Sequence, residues 1–113
     1  VLTSMSQQDL LETGVERDLV VQVDHLARLA QQSGLDGVVC SAQETQRLRE
    51  SLGGPFCLVT PGIRPSWSAP DDQTRIVTPS EAIKNGSDYL VIGRPITASA
   101  DPEQSIAKMI AEL

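Results

Sequence analysis

Apolar residues along this chain fall into two kinds of grouping: short unbroken runs, and longer stretches in which they return every third or fourth position. Three unbroken runs, "DGVVCSA" (36–42), "PFCLVTPG" (55–62) and "DYLVIGRP" (88–95), are rich in β-formers and bounded by turn residues. Runs of this length predict strands buried on both faces. Each precedes a helical pattern. "SAQETQRLRESLGG" opens with Ser41 and Glu44 at capping-box spacing and stops at Gly53 or Gly54. "TPSEAIKNGS" offers Thr78 as N-cap, Pro79 at the first helical position, Glu81 three residues past the cap and Gly86 at the end. "DPEQSIAKMIAEL" repeats the plan of cap then proline, with apolar positions at Ile106, Met109, Ile110 and Leu113.

Upstream, "RDLVVQVDHLARLAQQSG" puts Leu19, Val20, Val23, Leu26, Ala27 and Ala30 on one helical stripe, with Gly34 as its cap. "SMSQQDLLETG" reads as a short helix starting near Ser6, with Asp9 at capping-box spacing, and "VLTS" as the last residues of an earlier strand. A faint echo, "GLDGVV" against "GSDYLV", marks two similar helix-to-strand turns. Repeated strand-helix units imply parallel strands joined by right-handed crossovers. Such units build either an open doubly wound sheet or a closed eight-stranded barrel, and both bind ligands at the carboxyl ends of the strands. A glycine-rich G-x-G-x-x-G turn is absent, whereas barrels recurrently hold phosphate on the loops after strands 7 and 8. Gly93 and Arg94, leaving the last run, suit the barrel.

Composition narrows the partners. The 113 residues are 40% hydrophobic and 21% charged, enough for one modest core. A formal net charge of −6 argues against a general nucleic-acid or anionic-membrane binder, so any anion site must be local. No apolar run approaches the roughly 20 residues of a membrane span, and the opening residues lack the plan of a signal peptide, so a cytoplasmic address is expected. Cys40 and Cys57 lie within apolar runs without metal or redox spacing and read as buried free thiols, with a disulfide between them left open. His25 falls inside a helical pattern, as a surface or packed residue.

The connection "TPGIRPSWSAPDDQTRIVTP" is longer than the ~2–6 residues usual in such folds, and reads either as a binding loop or as a solvent-exposed excursion. Arg64, Gln73 and Arg75 offer donors there, and Trp67 a surface to close against ligand or neighbour. Arg94 is the stronger anion ligand, because a guanidinium fork matches a phosphate and Gly93 lets a ligand approach the backbone. The chain's two lysines, Lys84 and Lys108, fall in predicted helices, where neither easily reaches the Arg94 site.

Taken in order, "VLTSM", "GLDGVVCSAQE", "LVTPGIRP", "DDQTRIVTP" and "DYLVIGRPIT" resemble the second half of orotidine 5'-phosphate decarboxylase of the bacterial type, across all 113 residues. The resemblance implies half of a (β/α)8 TIM barrel, with "VLTS" ending strand 5 and the three runs forming strands 6 to 8, as a single partial domain over 1–113. It implies decarboxylation of orotidine 5'-phosphate to uridine 5'-phosphate and CO2 in pyrimidine biosynthesis, by a homodimer using neither metal nor organic cofactor. Thr3 and Ser4 would lie by the pyrimidine, and Arg64, Gln73, Gly93 and Arg94 would hold the 5'-phosphate. The family's Lys-Asp-Lys-Asp array belongs to a "D-x-K-x-x-D" segment that this sequence does not contain, so the chain by itself is expected to be inactive. Two other readings stay open: a non-catalytic phosphate-binding or assembly fragment, and part of a sister barrel acting on a sugar phosphate. A half-barrel exposes strand edges and an apolar face, which predicts association with the complementary N-terminal half or with itself.

Overall fold

The computed structural model describes residues 1–68 and 77–113. Six helices and three strands alternate along it: α1 (Gln7–Glu12), α2 (Leu19–Gln32), β1 (Gly37–Val39), α3 (Thr45–Leu52), β2 (Cys57–Thr60), α4 (Pro79–Lys84), β3 (Tyr89–Leu90), α5 (Arg94–Thr97) and α6 (Pro102–Ala111). The strands form one parallel sheet in chain order, with Val39 opposite Val59 and Val59 opposite Tyr89. Ladder bonds run beyond the strand ends, from the Cys40 N–H to the Val59 carbonyl (3.0 Å) and from the Val91 N–H to the Thr60 carbonyl (2.9 Å).

Local chemistry sets several of the boundaries. At Ser6/Asp9 and at Thr78/Glu81 the capping box closes in both directions, satisfying helix-start donors that have no partner within the helix. Asp18 caps α2 and Asp101 caps α6. The Ser41/Glu44 box is only half made: Glu44 accepts the Ser41 N–H at 3.0 Å, but the Glu44 N–H bonds to the Ser41 carbonyl in a turn, and α3 begins one step later. Gly34, Gly53 and Gly86 take positive φ where their helices end.

The helices cover one face of the sheet. Val23 and Ala27 of α2 meet Leu48 and Leu52 of α3 over Cys40, Phe56 and Leu58, and a second cluster joins Ala42, Ile63 and Ala82. The other face is open: Val39 is 69% exposed, Tyr89 65% and Val91 51%. Burial on both faces, expected from the runs, is therefore incorrect for this chain. Alternation along β2 shows why, since Leu58 and Thr60 are buried under helices while Cys57 and Val59 turn to the open side and are only partly covered. A doubly wound sheet would carry helices on both faces; helices on one face alone are the outer layer of a barrel.

Other expectations are corrected. Val1 packs on the first core cluster, but Thr3 and Ser4 form a turn and residues 1–4 join no strand. Cys57 is half-buried rather than buried; both cysteines are free thiols. On α2, Val20 and Leu26 are exposed, and on α6 Ile106 and Ile110 are exposed while Met109 and Ser105 turn inward; Leu113, beyond the end of α6, is exposed as well. The exposed apolar side chains of the two helices lie on flanks that no described element covers. The short helix α5 was not anticipated at all: it starts at Arg94, with Gly93 as N-cap and Pro95 fixing its first turn. Among the described residues, no helix is long and apolar enough to cross a membrane.

Candidate functional site

Because the strands are parallel, their exits share one end of the sheet. After β2 the backbone turns through Gly62, at φ +73°, and Ile63 forms a parallel bridge with Val77 that closes the base of the long connection. Arg64 follows, buried at 7% exposure, with its N–H bonded to the Val77 carbonyl (3.0 Å) and its guanidinium donating to the Ile63 carbonyl (3.0 Å), among its partners. On the neighbouring strand exit stand Gly93 and Arg94, both exposed. Among the described residues, and apart from its chain neighbours, no atom lies within 4 Å of where a Gly93 Cβ would sit, leaving its backbone approachable from that side.

Thr3 is buried beside the exits of β1 and β2, in a groove of about 330 Å³ lined by Val1, Leu2, Thr3, Met5, Val39, Cys40 and Pro61. Ser4 is exposed on the same turn. Thr3 thus lies at the exits of β1 and β2, and Arg64 and Gly93–Arg94 at those of β2 and β3. Gln73 and Arg75 lie outside the described residues. Lys84 ends α4, just before the chain enters β3, and is remote from the exits by topology.

Trp67 closes against a neighbour, one of the two options its sequence position offered, but the partners were not legible: Lys108 Nζ lies 5.9 Å from its ring centroid, and the adjacent Ser66 donates its hydroxyl to Glu112 at 2.8 Å. At the opposite end of the sheet, where strands begin, Arg49 donates to the carbonyls of Gly53, Gly54, Phe56 and Gly86 and pairs with Asp88. Burial acts to raise the Asp88 carboxyl, but the Leu58 N–H it accepts at 2.7 Å and the Arg49 guanidinium outweigh that, holding its pKa below the usual aspartate value. Leu58 with Asp88, Arg49 with Gly86 and Asp88, and Ser66 with Glu112 are 30 to 46 positions apart, beyond any spacing rule.

Parallel strands in chain order, helices on one face and polar groups at the strand exits define a portion of a (β/α) barrel. The chain belongs to the orotidine 5'-phosphate decarboxylase / HUMPS family, whose profile matches residues 1–109. It is 54% identical over 113 residues to orotidine 5'-phosphate decarboxylase of Saccharophagus degradans, covering 100% of this chain and 48% of that protein. With the Idiomarina loihiensis protein of the same name, identity is 57% over 113 residues, covering 100% and 49%. The crystal structure of orotidine 5'-phosphate decarboxylase from Lactobacillus acidophilus superposes with a TM-score of 0.80 at 39% identity, covering 99% of this chain and 46% of that one. The Pyrococcus horikoshii decarboxylase shares the fold, with a TM-score of 0.65 at 20% identity, covering 88% of this chain and 45% of that one. The chain spans about half the length of the curated relatives it matches, in their C-terminal part, and its fold is correspondingly half of a (β/α)8 barrel.

Proposed function

We propose that this chain is the phosphate-gripping half of an orotidine 5'-phosphate decarboxylase, in which Arg64, Gln73, Gly93 and Arg94 hold the substrate's 5'-phosphate while Thr3 and Ser4 border the pyrimidine. The observation that carries the reading is the placement of Arg64 and of the Gly93–Arg94 pair at adjacent exits of one parallel sheet. A guanidinium offers parallel donors that match phosphate oxygens, and an uncrowded glycine N–H adds a third. Such contacts act remotely: binding energy from the non-reacting phosphate positions the reacting centre. The groove beside Thr3 is concave and largely apolar, with room for part of a flat ring.

On this reading the lysine and carboxylates that expel CO2 belong to the complementary N-terminal half, and the 113-residue chain alone turns over no substrate. The open sheet face bearing Val39, Tyr89 and Val91 is where that half, or a second copy, packs. The protein then works in the cytoplasm, as a homodimer without metal or organic cofactor, yielding uridine 5'-phosphate for pyrimidine biosynthesis.

The test uses a full-length decarboxylase carrying this segment, completed with the first half of the Saccharophagus degradans relative. Removing one charge-assisted grip with Arg94→Ala weakens uridine 5'-phosphate binding by roughly 10- to 100-fold. Arg28→Ala, at a surface residue paired with Asp24 at 3.0 Å, leaves it unchanged. Equal effects of the two, or none from either, reject the assignment. Tighter binding of ribulose 5-phosphate than of uridine 5'-phosphate would favour a sister sugar-phosphate barrel.

A further inference from the structure

Helix α6 touches both segments that present an arginine at the strand exits. Near its start Ser105, buried, donates its hydroxyl to Ser99 Oγ at 2.8 Å, on the link that follows α5, whose first residue is Arg94. Further along, Lys108 stands over the Trp67 ring at 5.9 Å, and Glu112, the residue that ends the helix, accepts from Ser66 Oγ at 2.8 Å. Ser66 and Trp67 directly follow Arg64 and Pro65, both buried. Lys108 and Glu112 are four residues apart, hence neighbours on one helix face. The two contacts therefore act together on one short stretch of backbone.

We propose that α6 is a strut that sets the spacing between Arg64 and Arg94, with Lys108 and Glu112 as positioning residues for phosphate recognition; this rests on the reading of those arginines given above. A guanidinium fork meets phosphate oxygens only within a narrow geometry. A stem that shifts by a fraction of an ångström loses affinity while keeping all its charge. Neither Lys108 nor Glu112 touches substrate in this arrangement.

The experiment measures KM and kcat for orotidine 5'-phosphate in the full-length decarboxylase carrying this segment. The double variant Lys108→Ala/Glu112→Ala raises KM roughly fivefold with kcat held within about twofold, the pattern of lost uniform binding. Lys108→Arg keeps a cation over the ring and Glu112→Gln keeps an acceptor for Ser66, so both conservative variants retain the parent KM. In an Arg64→Ala background the double alanine variant adds little, because its effect passes through Arg64. A lowered Tm with unchanged KM, or full additivity with Arg64→Ala, overturns the strut while leaving the phosphate site standing. If Arg64→Ala and Arg94→Ala themselves leave KM unchanged, the phosphate assignment fails and the strut fails with it.

Discussion

Arg49 ties the end of α3 to the approach to β2 and to the distant approach to β3, and its removal is the sharpest test of how this half-barrel holds together. One terminal nitrogen donates to the carbonyls of Gly53 (3.1 Å), Gly54 (2.9 Å) and Phe56 (2.7 Å), and the other to Gly86 (2.8 Å) and the Asp88 carboxylate. Gly53 and Gly54 are exposed, so water replaces the guanidinium there at little cost. Phe56 is buried and Gly86 half-buried, and Asp88 would keep only the Leu58 N–H from this network. Hydrogen bonds to a charged group contribute about 1.5–3 kcal/mol each, and three acceptors share one nitrogen, so Arg49→Met should destabilise by about 2–4 kcal/mol in all. With a urea slope of about 2 kcal/mol/M, the unfolding midpoint falls by roughly 1–2 M at constant slope. Arg49→Lys keeps the charge but cannot span both groups of acceptors, and it recovers no more than half the loss. The assay is urea unfolding of the full-length decarboxylase carrying this segment, followed by circular dichroism. A midpoint that barely moves in Arg49→Met, or full recovery in Arg49→Lys, would refute the reasoning.

Three further outcomes are expected. Asp88 has a folded pKa below its unfolded value of 3.8, so its contribution is fully present above that value and is lost as pH falls through the folded pKa; Asp88→Asn should flatten the stability–pH slope below about pH 4, and an unaltered slope refutes the linkage. Gly37→Ala puts a Cβ 2.3 Å from the Cys57 carbonyl oxygen, a backbone atom that cannot step aside, and should cost about 1–3 kcal/mol or more by forcing β1 from β2; a loss below ~0.5 kcal/mol in thermal unfolding would show that the strands separate freely. The isolated 113-residue chain should elute in size-exclusion chromatography as an associated species, and Tyr89→Lys, which places a charge on the open sheet face, should shift it toward monomer; a well-folded, dilution-stable monomer of the unchanged chain contradicts this.

The local part of the fold was written in the residues. Ser6 with Asp9, Thr78 with Glu81 and Pro79, and Gly34, Gly53 and Gly86 fix helix starts and stops through contacts within a few positions, which any reading of spacing can find. Strand order followed too, since repeated strand-helix units leave few connections open, and the ordered motifs around "TPGIRP" and "DYLVIGRPIT" pointed to the family that the comparisons then established. Which faces are covered did not follow. The run "GVVC" reads the same whether a barrel interior lies over it or solvent does, and only the tertiary structure shows Val39 bare beside a buried Cys40.

Long-range polar contacts were likewise decided in three dimensions. Nothing near Arg49 names Asp88, and nothing near Ser66 names Glu112, because hydrogen bonds between segments depend on where packing brings their ends rather than on spacing along the chain. Periodicity and caps are short-range physics and are carried by the sequence one turn at a time. The spacing of Arg64 from Arg94, the tie of α6 to both their segments and the open inner face come from how the layers stack, which depends on all the segments together.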